Sequence, residues 1–157
     1  MGADFDKSTT KVFSPSKLAH VVLRTNNFRN MVEFYRKFLG AEHIAFTFNT
    51  LSDLLLAYRQ RKQQSISPLW PVNHGPKTSI YYRDPDGNMI ETQVDNFENP
   101  DEATDFMKSN FFAENPIGTD FDPEDYITRL QNGDNEKKLL QRVEIGPRGV
   151  PEFAQGA

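Results

Sequence analysis

Three histidines, a tyrosine and a glutamate are the residues of this chain whose types and spacing could do chemistry: His20 and His43 each head an apolar stretch, and His74, Tyr81 and Glu91 share one segment. Imidazole nitrogens and a carboxylate can hold a divalent transition ion, and imidazole and phenol can also pass protons to a substrate. There is no cysteine, which excludes a disulfide framework and every thiolate metal site. Any metal must therefore be held by nitrogen and oxygen.

The segment from Val72 to Glu91 is read as a hairpin. Asp84-Pro85-Asp86-Gly87 is a tight-turn signal, because proline presets the dihedral of the second turn residue and glycine tolerates the conformation needed at the turn's exit. Thr78 to Arg83 and Asn88 to Asp95 are the two arms. Side chains alternate faces along a strand, so Ser79, Tyr81 and Arg83 share one face of the first arm and Met89, Glu91 and Gln93 one face of the second. If Arg83 pairs with Met89 across a bulged turn, Tyr81 stands opposite Glu91.

Each of these residues also has a plainer reading. His20 and His43 can be structural residues at strand starts, Glu91 an ordinary strand carboxylate, His74 a loop-shaping neighbour of Gly75-Pro76, and Tyr81 a core aromatic. Tyr82 points the other way and is assigned to packing. Trp70, Phe106, Phe111 and Phe112 read as core or lid contacts, and Arg83 either clamps an acidic substrate or pairs with Asp86.

An internal duplication supports the functional readings of His20 and His43. His-Val-Val-Leu-Arg-Thr-Asn from His20 matches His-Ile-Ala-Phe-Thr-Phe-Asn from His43, and the likeness continues into a helix in each copy. Phe28, Met31, Val32, Tyr35 and Leu39 form the buried stripe of the first helix; Leu51, Leu54, Leu55 and Tyr58 form that of the second. Gly40 caps the first helix, and only Ala41 and Glu42 separate it from the next strand. The second helix is followed by three strands, near Leu69 to Asn73 and then the two hairpin arms. The second copy is thus a β-α-β-β-β unit, and the first only β-α. Helix starts come next at Asn99-Pro100-Asp101-Glu102 and Asp122-Pro123-Glu124-Asp125, with Gly133 ending the latter and a short helix over 135–142.

At 157 residues the chain has the length of one domain, and its net charge of −4 is unevenly spread. Asp101 to Ala157 carries 12 acids against 6 bases, leaving 10 acids against 12 bases before it. No basic stripe suggests nucleic acid, and Arg59, Arg61 and Lys62 fall where they complement a helix dipole. No apolar run reaches membrane length and the N-terminus lacks a signal-peptide core, so a cytoplasmic protein without membrane contact is expected.

With the repeated histidine-led β-α start and the His74 to Glu91 hairpin in place, the chain resembles the vicinal oxygen chelate superfamily of glyoxalases, bleomycin resistance proteins and extradiol dioxygenases. It is most similar to type I extradiol ring-cleavage dioxygenases. Their signature is matched in order by His74, Ile80-Tyr81, Asp84-Pro85, Gly87 and Glu91. The resemblance implies an α+β fold: a βαβββ module preceded by a truncated βα half-module, with a C-terminal helical extension. The corresponding divisions are a flexible N-terminus over 1–16, the chelate domain over 17–96, an acidic helical extension over 97–145 and a flexible tail over 146–157.

By the same resemblance His20, His43 and Glu91 are metal ligands, forming a facial triad for Fe(II) or Mn(II), and His74 and Tyr81 are catalytic groups that hydrogen-bond the substrate and the oxygen species. The implied partners are an aromatic vicinal diol and O2. Two alternatives stay open: a glyoxalase-like isomerase of the same fold, and a catalytically inactive binding or dimerising form. The shortened first module has lost the part from which extradiol enzymes draw a further acid-base histidine. It is also expected to leave an apolar sheet face uncovered, which would favour a homodimer.

Overall fold

The computed structural model describes residues 17–20, 44–83 and 89–152, with the side chains of the first segment and of Ile44 outside that description. Its strands are β1 (Lys17–His20), β2 (Ile44–Phe48), β3 (Trp70–Asn73), β4 (Lys77–Arg83), β5 (Met89–Asp95) and β6 (Thr119–Asp120). Helix α1 (Leu51–Gln63) joins β2 to β3. The C-terminal part supplies α2 (Pro100–Met107), α3 (Asn110–Glu114), α4 (Pro123–Gln131) and α5 (Glu136–Leu140).

These strands form one sheet in the order β1-β2-β5-β4-β3-β6. β2 runs parallel to β5, as the α1 crossover requires, and the other neighbours are antiparallel. The β-α-β-β-β unit read from the sequence is therefore present as β2-α1-β3-β4-β5, in an α+β domain. Of the first half-module only β1 is described. It ends at His20, the residue expected to begin its strand, and the expected helix over 28–39 lies outside the described residues. Helix α3 and strand β6 were not anticipated.

The hairpin register is the one the alternation predicted: Arg83 pairs with Met89 and Tyr81 with Glu91. The turn residues 84–88, Asp86 among them, lie outside the described residues.

Helix α1 forms where its caps and apolar spacing demand it. The Thr50 side chain accepts from Asp53 N at 3.0 Å, and Arg61 and Lys62 stand in the last turn. A second cap comes from far along the chain: the Glu136 carboxylate accepts from Leu51 N at 3.3 Å, from Ser52 N at 3.2 Å and from the Ser52 hydroxyl. Leu51, Leu54, Leu55 and Tyr58 are buried against Phe48, Ile80, Tyr82 and Val94 on one sheet face. Each buried leucine contributes about 1.5–3 kcal/mol of apolar burial.

The C-terminal part closes this same core. Ile127 of α4 is 0% exposed and Leu139 of α5 2% exposed within it. Glu124 of α4 accepts from Tyr58 and pairs with Arg59 and Lys62 at 2.7 and 2.8 Å. The basic cluster of α1 thus has a carboxylate partner besides the helix dipole.

The opposite sheet face corrects one expectation. In place of a bare apolar surface it carries buried polar residues, Thr47, Ser79, Glu91 and Gln93, with an apolar cluster of Trp70, Val72 and Tyr81 beside them.

Candidate active site

The pairings align one row across the sheet: His20 with Ala45, Ala45 with Glu91, Glu91 with Tyr81 and Tyr81 with Trp70. Of the expected triad, then, the backbone of His20 lies two strands from Glu91 along a single rung. His43 directly precedes β2 and lies outside the described residues, as does the side chain of His20. Among the described residues no three histidine, aspartate or glutamate side chains converge as a metal site.

Glu91 is 4% exposed on β5. Ser79 Oγ donates to its Oε1 at 2.5 Å. With the Gln93 amide oriented so that both of its ends are satisfied, Gln93 also donates to Oε1 at 3.2 Å and accepts from Thr47 Oγ1 at 3.1 Å and Lys77 Nζ at 2.7 Å. A buried carboxylate is costly unless hydrogen-bonded or bound to an ion, and donors from both neighbouring positions fix this one in place. The period-two pattern that put Ser79 and Gln93 on the faces of Tyr81 and Glu91 was the signal for both.

Tyr81 is 6% exposed. Burial above all, and then the Glu91 carboxylate, push its phenol well above the ordinary tyrosine range, so it remains protonated near neutrality. His74 Nε2 lies 3.1 Å from the Tyr81 hydroxyl, and His74 Nδ1 lies 2.6 Å from the carbonyl oxygen of Ile117. The Trp70 ring stacks on Tyr81 with centroids 5.3 Å apart and meets the His74 ring edge-on at 5.6 Å. Trp70, read from the sequence as a core or lid contact, is thus a wall of the site. Phe106 also approaches: a Cβ at Gly75, whose φ is +100°, would lie 2.1 Å from its ring.

Several residues that sequence reasoning did not connect with the site hold this wall. Asp120 accepts from Trp70 Nε1 at 2.6 Å and takes two hydrogen bonds from Arg148, both at 2.7 Å. Arg148 belongs to the segment read as a flexible tail. The Arg142 side chain, 1% exposed, donates to the carbonyls of Asn115 at 2.6 Å, Phe111 at 2.9 Å and His74 at 3.3 Å. The Asn-Pro step at 115 is a turn signal, but nothing local shows what the turn approaches.

A cavity of about 700 Å³ opens elsewhere, at the C-terminal ends of β2 and β5, lined by Thr47, Asn96, Glu98, Glu102 and Glu136 among others. None of His74, Tyr81 and Glu91 lines it.

The βαβββ sheet and this row of residues can be set beside known proteins. Residues 40–92 match the family model described as the Glyoxalase/Bleomycin resistance protein/Dioxygenase superfamily. Among the chain's relatives are two proteins of Rhodococcus globerulus. Biphenyl-2,3-diol 1,2-dioxygenase 2 is 51% identical over 84 residues, 54% of this chain and 44% of that protein. Biphenyl-2,3-diol 1,2-dioxygenase 3 is 45% identical over 105 residues, 67% of this chain and 55% of that protein. The chain spans about half the length of these curated relatives. A solved structure, the Mn(II)-bound glyoxalase from Novosphingobium aromaticivorans, aligns at 21% identity over 59% of this chain and 40% of that one, with a TM-score of 0.38, too loose a likeness to carry an argument.

Proposed function

We propose that the chain is an extradiol-type dioxygenase, acting on a catechol-type vicinal diol with O2 at a divalent metal, Fe(II) or Mn(II), held by His20, His43 and Glu91. The observation that carries this reading is the rung that places the His20 backbone and the buried, hydrogen-bonded Glu91 on one line of the sheet, beside the His74–Tyr81 pair. Two imidazoles and a carboxylate are a donor set suited to either ion, and the donors on Glu91 Oε1 are of the kind that orient a ligating carboxylate. The metal, when bound, supplies a Lewis-acidic, redox-capable centre that chelates the diol.

The chain's own residues then have separable tasks. Ser79 and Gln93 hold the Glu91 carboxylate in one rotamer. Tyr81 keeps its proton and so acts as a hydrogen-bond donor, while His74 offers a second polar group next to it. Trp70 gives this corner an apolar, stacked wall from which water is excluded. A cytoplasmic location and a homodimer go with this reading, as does a division into a chelate domain over 17–96 and a helical extension after it.

The test is to load the protein anaerobically with Fe(II) or with Mn(II), add a panel of catechols that includes biphenyl-2,3-diol, admit air, and follow oxygen uptake with the appearance of a coloured ring-opened product. Metal binding with no uptake across the panel refutes the dioxygenase reading. A glyoxalase-like isomerase or a binding form would account for that result.

A further inference from the structure

The dioxygenase reading gives His74 a task but not a protonation state, and the C-terminal extension is built to supply one. His74 Nδ1 lies 2.6 Å from the carbonyl oxygen of Ile117. A carbonyl can only accept, so Nδ1 must carry a hydrogen. In the neutral ring Nε2 is then the bare nitrogen, and it faces the Tyr81 hydroxyl at 3.1 Å.

The Ile117 carbonyl is fixed by a turn. Asn115 is 1% exposed, and its Oδ1 accepts from Gly118 N at 2.8 Å and Ile117 N at 3.2 Å while its Nδ2 donates to Gly118 O at 3.1 Å. Both acceptor positions of its amide oxygen and one of its N–H donors are spent inside this turn. Gly118 adopts φ +108°, and a Cβ there would lie 2.3 Å from Asn73 O, so the turn presses against the strand end that leads into His74. The Arg142 guanidinium bridges the two sides, donating to Asn115 O and to His74 O. A planar guanidinium satisfying carbonyls of both segments fixes the distance between them.

We propose that Asn115, with Arg142, is a positioning residue that locks His74 in its Nδ1-protonated tautomer and so presents Nε2 as an acceptor inside the site. The inference rests on the dioxygenase reading for its consequence in catalysis, but the tautomer itself does not depend on it. A ring free to exchange tautomers would for part of the time turn Nε2 into a donor toward Tyr81, and the site would lose its acceptor nitrogen.

The experiment is long-range proton–nitrogen correlation NMR on the full ¹⁵N-labelled chain without added metal, at about pH 8, above the ordinary histidine pKa of about 6.5. His74→Gln assigns the ring by loss of its signals. The wild-type chain should show His74 protonated on Nδ1 with Nε2 as the bare nitrogen. Asn115→Ala should give a tautomer mixture or the Nε2-protonated form, and Asn115→Asp, which keeps the acceptor for Ile117 N and Gly118 N, should restore the wild-type pattern. Arg142→Met should also give a mixture.

A wild-type ring protonated on Nε2, alone or on both nitrogens, overturns the proposal whether or not any variant folds. An unchanged tautomer in folded Asn115→Ala overturns the role of Asn115. In metal-loaded protein Asn115→Ala should lower kcat about 10-fold with little change in KM. Absence of any turnover in the wild type bears on the dioxygenase reading alone, because the NMR readout needs neither metal nor substrate.

Discussion

Tyr81 and Glu91 stand opposite one another on β4 and β5, and the Tyr81 hydroxyl reaches His74 Nε2 at 3.1 Å. Tyr81→Phe should keep the ring stacked on Trp70 and remove only the hydroxyl. The loss of a buried hydrogen-bond partner should cost about 1–3 kcal/mol of stability, read as a lower urea midpoint with an unchanged slope. In metal-loaded protein, oxygen uptake with a catechol should fall about 100-fold. Retained turnover would remove Tyr81 from the proposed mechanism.

Glu91→Gln keeps the size and the hydrogen-bonding capacity of the side chain but removes its charge. The protein should remain folded, because Ser79 Oγ can still donate to an amide oxygen. Metal affinity should fall by more than the roughly 10–100-fold typical of changes around a metal ligand. Metal analysis of the dialysed variant beside the wild type is the measurement, and equal metal content in the two would exclude Glu91 as a ligand.

Two glycines should respond differently to the same substitution. Both have positive φ, but a Cβ at Gly75 meets the ring of Phe106, whereas one at Gly118 meets backbone, Asn73 O at 2.3 Å and His74 Cα at 2.8 Å. A ring can turn aside and a strand backbone cannot. Gly118→Ala should therefore destabilise more than Gly75→Ala, for which about 1–3 kcal/mol is expected. A Gly75→Ala, Phe106→Leu double variant should recover part of the Gly75→Ala loss and so confirm the contact.

Asp120 should leave a signature in acid. Burial alone would raise its carboxyl pKa, but hydrogen bonds from Arg148 and Trp70 and the Arg148 charge outweigh burial and bring it below the ordinary range. A lowered folded-state pKa stabilises the fold fully above the unfolded value of about 3.9, and that contribution is lost as pH falls through the folded-state pKa. The stability difference between the wild type and Asp120→Asn should accordingly be constant above about pH 5 and shrink as the pH drops further. Denaturant midpoints from pH 7 to pH 2 test this, and a difference that grows with acid would contradict it.

Ile127 and Leu139 lie in one cluster with Leu54, Leu55 and Tyr58. Ile127→Ala should cost about 2–5 kcal/mol, as for other large-to-small core changes. Unfolding should stay a single transition by far- and near-ultraviolet circular dichroism, because the extension shares the core of the sheet domain. Two separated transitions would show that the extension unfolds independently.

Strands β2 to β5, the α1 stripe and the register of the hairpin could be read from the sequence because each depends on near neighbours. Period-two alternation and the Asp-Pro-Asp-Gly turn together leave few ways to pair Thr78–Arg83 with the second arm, and the pairing of Tyr81 with Glu91 results. The starts of α2 and α4 were equally visible, since Asn99 and Asp122 cap their own helices within two residues. Strand β6 was not visible. It is two residues long, and it exists because β3 offers a free edge to Thr119 and Asp120.

Local chemistry therefore determined that Tyr81 and Glu91 share one hairpin with His74 just ahead of its first arm, and that no thiolate takes part in their work. Only the tertiary structure decided what holds them. Ile117 reaches His74 across 43 residues, Arg142 reaches it across 68, and Asp120 reaches Trp70 across 50. Such partners are selected by how helices and loops pack once an apolar core has formed, and that packing is non-directional and leaves no spacing rule in the chain.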